Sequence, residues 1–338
     1  MPIPPIPLGK LPPELLSRIL AKAPVQDERV LLGPGLGLDC AVLDFGETLL
    51  VLKSDPITFA TDQIGWYLVQ VNANDIATTG ATPRWLLVTA LLPEGSATPS
   101  QVEGIASQVY IACQELGISL IGGHTEITNG LDHPILVGTL IGEVDRERLI
   151  TPRGAMPGDR LLLTKGVPIE ATAILAREFP DRLRSFLTED ELAQAQDFLH
   201  HPGISILRDA QIACGSGKVT AMHDPTEGGL ACALWELAEA SGHTLIVDLS
   251  TVPVPPLSAR ICQALNLNPL ASIASGALLL TAPTDSAVAI QHSLSAEAIP
   301  CVELGSVEAG PAAVYQDTPL ARIPFPRPER DEIAKLFA

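Results

Sequence analysis

Short apolar runs and helical patterns alternate along this chain, and a polar, glycine-containing stretch interrupts the alternation near its middle. In the first half, runs typical of buried strands cover 48–55, 85–92, 118–128 and 133–144, and helical periodicity covers 66–79 and 98–116. We expect the strand over 118–128 to run into a turn at its two glycines. The interruption at 145–160 marks a domain boundary. Irregular alternation on both sides predicts two α/β or α+β domains rather than one doubly wound sheet.

The second half has the same mixed character. It contains predicted strands at 161–165, 244–249 and 277–282, and predicted helices near 168–178, 188–200, 203–214, 228–241 and 256–265. We therefore divide the chain into an N-terminal extension with a helix at 12–23 (1–32), an N-terminal domain (33–150) and a C-terminal domain (151–338).

The charge of the chain limits what it binds. A formal net charge of -18 disfavours nucleic acid and anionic membranes, which both need basic surface. It leaves room for a nucleotide held through divalent cations. Prolines interrupt the start of the chain, where a signal peptide needs an apolar helix, and no apolar run reaches membrane-spanning length. Six scattered cysteines indicate neither a disulfide framework nor a zinc site, so we expect a cytoplasmic protein.

The segment "HDPTEGGLACALWELAEASG" (223–242) places two glycines at the start of a predicted helix. Glycine disfavours helices, so Gly228 and Gly229 need a reason. One reason is a phosphate, because a helix N-terminus presents N–H groups and partial positive charge. The other is tight packing against a neighbouring segment. The segment by itself leaves both open.

Acidic residues stand beside small residues at the ends of predicted strands and helices. They are Asp39, Asp55, Asp75 and Asp224, and "GGHTEIT" adds His124 and Glu126. Carboxylates in loops suit Mg²⁺, which completes its coordination with water and phosphate. A single aspartate at a strand end more often caps a turn, so each motif alone is weak. No Walker A sequence is present, and a phosphate site would be of another kind.

Several motifs together resemble the AIR synthase superfamily in order and approximate spacing, over about residues 8–310. They are "GLGLDCAVLDF", "VLKSDPIT", "VNANDIATTGATPRWLL", "GGHTEIT", "HDPTEGGLACALWELAEASG" and "ASGALLLTAP". Hydrogenase maturation factors are the most similar members; thiamine-monophosphate kinase, selenophosphate synthetase and formylglycinamidine synthase are others. The resemblance implies an ATP-binding fold with a C-terminal α/β domain. It also implies a homodimer in which the N-terminal domains pair into a β-barrel-like core.

The resemblance also implies site residues. The implied Mg²⁺ ligands are Asp39, Asp55, Asp75 and Glu126, and Asp224 closes the site from the C-terminal domain. The implied nucleotide contacts are Gly35, Gly37, Lys53, Asn72, Gly122, Gly123, Thr226, Gly228 and Gly229. Together with Asp224, His124 and His223 are candidate catalytic groups. Purely structural roles stay open for both histidines, for Lys53 and for Asn72. The family context favours the phosphate explanation of the paired glycines.

Three departures from the superfamily's motifs limit which of its properties can be expected of this chain. Leu38-Asp39 stands where the superfamily has two acids, and His124 stands where the hydrogenase factor has an acid, as in selenophosphate synthetase. No cysteine follows Cys301, so cyanide chemistry on the chain's own tail is not expected. Cys40 lies in the wrong setting for the reactive cysteine of selenophosphate synthetase. We expect an inert tail over 323–338, with a short helix at 328–337 packing Ile333, Leu336 and Phe337 on the surface and with Asp331 exposed.

These observations predict an Mg²⁺-dependent, ATP-using enzyme. It would phosphorylate an amide, carboxylate or thio-oxygen of a small molecule or of a partner maturation protein. One alternative is a maturation or regulatory factor that binds ATP and turns it over slowly or not at all. Another is a kinase similar to thiamine-monophosphate kinase or selenophosphate synthetase. The sequence does not name the substrate.

Overall fold

The computed structural model describes residue 6, residues 8–60 and residues 62–337. The chain forms two compact units. The N-terminal unit is Asp27–Gly33 with Asp39–Leu149, and the C-terminal unit is the described residues up to Gln26, Pro34–Leu38 and the chain from Ile150 onward. The predicted ranges instead set 1–32 apart and kept 34–38 with the N-terminal domain. Residues 1–5, 7, 61 and 338 of those ranges lie outside the described residues.

The first part of the chain, up to Asp145, contains a short helix followed by mixed strands and helices. Its elements are α1 (Pro13–Leu20), β1 (Val30–Leu32), β2 (Ala41–Asp44), β3 (Thr48–Ile57), α2 (Ile64–Thr78), β4 (Thr82–Pro93), α3 (Pro99–Leu116), β5 (Ser119–Thr128) and β6 (Ile135–Asp145). The strands form a six-stranded sheet in the order β1-β2-β3-β6-β4-β5. Neighbours are antiparallel except the parallel pair β4 and β5.

Helix α2 lies on the centre of this sheet because glycines in β6 let it approach. A Cβ on Gly138 would lie 2.7 Å from Asn72 Nδ2, and one on Gly142 would lie 2.4 Å from Ile76 Cγ2. Every residue of α2 except Trp66 is buried. Burial on every side explains why the helix carries apolar residues around its circumference. Packing in the core does not explain its few polar residues.

The strand that was expected to run into a glycine turn continues through both glycines. Leu86 pairs with Leu120 but Leu87 pairs with Gly122, so Ile121 is an extra residue that forms a bulge. The predicted turn is therefore wrong. Backbone crowding explains the glycines, since a Cβ on Gly123 would lie 1.9 Å from the carbonyl oxygen of Val88.

The second part of the chain has more elements than the sequence predicted. They are β7 (Arg160–Thr164), α4 (Ile169–Glu178), α5 (Pro180–Leu183), α6 (Glu189–Gln196), α7 (Leu207–Ser216), β8 (Ala221–His223), α8 (Gly229–Ser241), β9 (Thr244–Val247), α9 (Pro256–Leu265), β10 (Leu279–Ala282), α10 (Thr284–Ala296), β11 (Cys301–Glu308), β12 (Ala313–Asp317) and β13 (Arg322–Pro324). A seven-stranded sheet in the order β13-β12-β9-β11-β7-β10-β8 packs its apolar side chains with those of α8. The expectation of two mixed α/β domains is confirmed.

The tail differs from its prediction. Instead of a helix over 328–337 there is one 3₁₀ turn, Ile333–Leu336. Ile333 is fully buried rather than lying on the surface. Phe337 contacts Phe179 edge to face, with ring centroids 5.2 Å apart. The tail is thus part of the core of the C-terminal unit.

Over the residues described here, no helix is both long enough and apolar enough to cross a membrane.

Candidate nucleotide and metal site

Three charged side chains meet in the N-terminal unit. Lys53 and Asp55 project from the same face of β3, and Asp75 comes from α2. The Lys53 ammonium lies 3.2 Å from Asp55 Oδ2 and 3.2 Å from Asp75 Oδ2. Asp75 is 1% exposed, and its carbonyl oxygen accepts hydrogen bonds from Cys40 Sγ and Thr78 Oγ1. We call Lys53, Asp55 and Asp75 the lysine–aspartate cluster.

The electrostatics of this cluster favour a cation. Burial disfavours the charged form of Lys53, but the carboxylates of Asp75, Asp55 and Asp39 outweigh it and raise the pKa of Lys53 well above its ordinary value. The ammonium thus occupies a point at which two carboxylate oxygens converge. Hard divalent cations prefer such a donor set. The residues present therefore fit a metal ion bound by Asp55 and Asp75, with Asp39 adding negative charge.

Asn72 supports the cluster from α2. Its Oδ1 accepts a hydrogen bond from the backbone N–H of Asp55 at 3.1 Å, and its Nδ2 donates to Leu68 O at 2.9 Å. The side chain is fully buried. Asn72 therefore fixes the position of Asp55, which differs from the direct nucleotide contact that the resemblance implied.

His124 and Glu126 lie elsewhere in this unit. Their side chains contact each other at 3.0 Å on β5 and are 65% and 47% exposed. Asp55 pairs with Gly138, Gly138 with Val88 and Val88 with Gly123. His124 follows Gly123 on β5, so three interstrand spacings separate the backbone near His124 from Asp55, a distance of roughly 14 Å. Within a single chain, Glu126 therefore lies away from the lysine–aspartate cluster.

The remaining predicted residues lie in the C-terminal unit. His223 ends β8, and Asp224 follows it; they are 2% and 1% exposed. His223 Nε2 lies 2.8 Å from Glu236 Oε2 of α8. Thr226 Oγ1 accepts a hydrogen bond from Lys10 Nζ at 3.4 Å.

The paired glycines at the start of α8 are explained by the chain's own packing. Gly228 and Gly229 have φ of 81° and 59°, which side chains rarely adopt. A Cβ on Gly229 would lie 2.5 Å from Ser272 O. The acceptor at this helix start is the side chain of Asp331, whose Oδ2 accepts from Gly228 N–H at 2.5 Å. Tight packing, the alternative left open by the sequence, accounts for both glycines.

Asp331 is therefore not the exposed acid that was expected. It is 3% exposed, and its Oδ1 accepts from Ile333 N–H at 2.9 Å. Burial raises the pKa of Asp331 to about 7, against the lowering effect of the Gly228 and Ile333 N–H groups. Burial likewise raises the pKa of Glu170 to about 8. Glu227 raises both values, so the start of α8 carries an excess of carboxylates.

The segment that contains Gly35, Gly37 and Asp39 is divided between the units. Gly37 has φ of 66°, and a Cβ on it would lie 2.6 Å from Glu236 O. A Cβ on Gly35 would lie 2.6 Å from the Leu38 side chain. Both belong to the C-terminal unit, whereas Asp39 belongs to the N-terminal unit. Close packing within the C-terminal unit accounts for Gly37, whereas a Cβ on Gly35 would meet the end of a flexible side chain that can move.

Sequence reasoning missed Lys10, Glu170, Glu236 and Asp331. One signal was available for Asp331, because an aspartate two residues before a helical turn is a common capping pattern. Lys10 and Glu170 contact residues far away in the sequence. Glu236 contacts His223, 13 positions before it, but nothing in its local pattern points to this contact.

Comparison with protein families matches most of the chain. Residues 37–144 match the AIR synthase related protein N-terminal domain, and residues 156–317 match the corresponding C-terminal domain. The resemblance read from the motifs is thereby confirmed.

Two curated relatives illustrate the similarity. A putative hydrogenase expression/formation protein of Methanocaldococcus jannaschii is 27% identical over 292 residues, which is 82% of this chain and 82% of the relative. Carbamoyl dehydratase HypE of Cupriavidus necator is 30% identical over 221 residues, covering 64% of this chain and 58% of that protein.

Solved structures share the fold. Hydrogenase maturation protein HypE in complex with ATP superposes with a TM-score of 0.70 at 24% identity, covering 94% of this chain and 91% of that chain. HypE of E. coli superposes with a TM-score of 0.74 at 19% identity, covering 95% and 97%.

Proposed function

The chain belongs to the family of AIR synthase related proteins, and from this premise we propose that it binds ATP through a divalent cation, Mg²⁺ in the cell. The observation that carries the proposal is the convergence of Asp55 and Asp75 on one cationic point, 3.2 Å from each carboxylate. The shared fold with a HypE structure that contains ATP supports the choice of nucleotide.

The residues of the lysine–aspartate cluster have distinct roles in this proposal. Asp55 and Asp75 bind the cation, and Asp39 adds a third carboxylate near it. Lys53, which neutralises the two carboxylates, would supply a positive charge to a phosphate oxygen if a bound cation replaced it between them. Asn72 keeps Asp55 in position through the Asp55 N–H.

We propose that the reaction is phosphoryl transfer to an amide, carboxylate or thio-oxygen, which makes a poor leaving oxygen into a good one. A bound Mg²⁺ would supply charge neutralisation at the phosphates. His223 and Asp224 are the proposed catalytic groups of the C-terminal unit. Relatives named carbamoyl dehydratase support this reaction class, and a HypE–HypF complex among the structural neighbours supports a maturation protein as the substrate or partner.

We further propose a homodimer through the N-terminal unit. Both helices of this unit pack on one face of its sheet. Along β6, buried residues alternate strictly with partly buried residues, and the partly buried ones lie on the other face. β5 is an edge strand whose apolar Ile121 and Ile127 are 54% and 57% exposed. Edge strands of this kind pair or are covered.

Substitution of one cluster aspartate tests the proposal. Asp75→Asn keeps the shape of the side chain but removes a unit charge next to the cation, so MgATP should bind at least about tenfold more weakly. Asp317→Asn is the control, because Asp317 is 52% exposed on β12. Calorimetric titration measures both. Equal affinity for the two variants would contradict the assignment of Asp75.

Phosphate release distinguishes an enzyme from a binding factor. A phosphoryl-transfer enzyme should release phosphate or ADP faster when its acceptor is added, in the presence of Mg²⁺. Binding without any acceleration by amide, carboxylate or carbamoyl acceptors, or by a maturation partner, would favour the alternative of a non-catalytic factor.

A further inference from the structure

A chain of charged groups, exposed at Lys10 (46%) and buried at His223, links the N-terminal segment to the interior of the C-terminal unit. His223 Nε2 lies 2.8 Å from Glu236 Oε2, and Glu236 Oε1 lies 3.3 Å from Lys10 Nζ. His223 is 2% and Glu236 is 13% exposed. Lys10 also lies 3.9 Å from Glu227 Oε2. Neither Lys10 nor Glu236 has a role in the proposed function, although Glu236 lies within the segment 223–242 that carries the resemblance.

The position of Glu236 is fixed from several directions. It lies two turns into α8, on the side that faces β8. Its backbone carbonyl is in contact with Gly37, where a side chain would collide. The Lys10 ammonium lies 3.3 Å from its Oε1 and forms an ion pair with this carboxylate. A side chain held in this way has little freedom to leave His223.

An ionised carboxylate only accepts hydrogen bonds. The contact between Glu236 and His223 therefore requires the hydrogen to be on Nε2, and the lone pair of the neutral ring is then on Nδ1. Fixing of the tautomer by a carboxylate is how proteins prepare a histidine to accept a proton or to bind a ligand.

We infer that Glu236, held by Lys10, is a positioning residue that keeps His223 as the Nε2–H tautomer and presents Nδ1 as its basic nitrogen. This inference rests on the proposed function only in taking His223 as a catalytic group. The tautomer itself is a property of the chain without nucleotide.

Nitrogen NMR of the full chain labelled with ¹⁵N-histidine tests the inference, at a pH at which the ring is neutral. The chain has seven histidines, and the signal lost in His223→Gln identifies the ring. Wild type should show the proton on Nε2. Glu236→Gln should retain this state, because its amide oxygen still accepts the hydrogen bond. Glu236→Leu should populate the Nδ1–H form.

Glu239→Gln is the matched control. Glu239 lies one turn further along α8 and pairs with Arg327 at 2.6 Å, so its loss should leave the ring unchanged. Wild type with the proton on Nδ1 would overturn the inference even if no variant folds, and so would an unchanged tautomer in Glu236→Leu.

ATP turnover separates this inference from the proposed function. Glu236→Leu should lower turnover by about tenfold or more. Its affinity for MgATP should stay within about twofold of wild type, because Glu236 does not belong to the lysine–aspartate cluster. A wild-type protein that binds no ATP but has the Nε2–H tautomer would contradict the proposed function and leave the positioning role intact.

Discussion

Replacing Asp331 with Asn should change how the stability of the C-terminal unit depends on pH. In the folded chain burial raises the pKa of Asp331 from 3.8 to about 7. Between these values the folded chain retains a proton that the unfolded chain releases, so the free energy of unfolding falls as pH rises. The fall is complete near pH 7 and amounts to about 4 kcal/mol, since each pKa unit is worth about 1.4 kcal/mol.

Asparagine has the same shape as aspartate and does not titrate. Its Oδ1 retains one of the two acceptor positions that Gly228 and Ile333 now use. We expect Asp331→Asn to match or fall about 1 kcal/mol below wild type in acid, through the lost hydrogen bond. Above neutral pH it should be the more stable chain. Part of the slope should persist, because Glu170, with a pKa raised to about 8, still titrates.

Hydrogen exchange measures the pH dependence of stability in the C-terminal unit alone. It avoids treating the two units as a single unfolding transition. The opening free energies of α8 amides should be compared from pH 5 to pH 8 in wild type, Asp331→Asn and the exposed control Asp317→Asn. The slope should be smaller in Asp331→Asn by about 1.4 kcal/mol per pH unit below pH 7. Equal slopes in wild type and Asp331→Asn would refute the reasoning.

Two further predictions concern the N-terminal unit. Gly123→Ala should cost about 2–4 kcal/mol of unfolding free energy in denaturant titrations, because its Cβ would lie 1.9 Å from Val88 O. Gly104→Ala is the control and should not destabilise the chain, because Gly104 lies in open space on α3. Equal effects of the two substitutions would contradict the account of the β5 glycines. Light scattering at micromolar concentration should give a dimer for wild type and a monomer when Ile121 and Ile127 are both replaced with Lys, while Ile111→Lys on α3 stays dimeric. A monomeric wild type would refute the proposed dimer.

Most elements could be predicted from the sequence where periodicity and end signals agree. Helix α9 begins at Pro256 and ends at Leu265, as predicted, because a proline opens it and Asn266 in the left-handed conformation closes it. The prediction missed β1, β2, β8, β11, β12 and β13 and the helices α5 and α10. Three of these strands, β1, β8 and β13, have only three residues each and show no period. The tail was misjudged because burial of Ile333 depends on tertiary packing and not on local pattern.

The lysine–aspartate cluster could be predicted in part. Lys53 and Asp55 share a strand face by their spacing, and the motif around Asp75 pointed to the same chemistry. Glu126 could not be placed, because its distance from Asp55 depends on the order of strands in the sheet. Contacts such as Lys10 with Glu236 and Gly228 with Asp331 join residues 226 and 103 positions apart, and no local pattern encodes them.

Titration of ATP into the wild-type chain, once with Mg²⁺ and once with EDTA, tests the central claim most directly. The cluster holds carboxylates that repel phosphate unless a divalent cation lies between them. The account predicts binding with Mg²⁺ and affinity at least about a hundredfold weaker in EDTA, equivalent to about 2.8 kcal/mol. Equal affinity in the two buffers would contradict it, because ATP would then bind without the cation that Asp55 and Asp75 are proposed to hold.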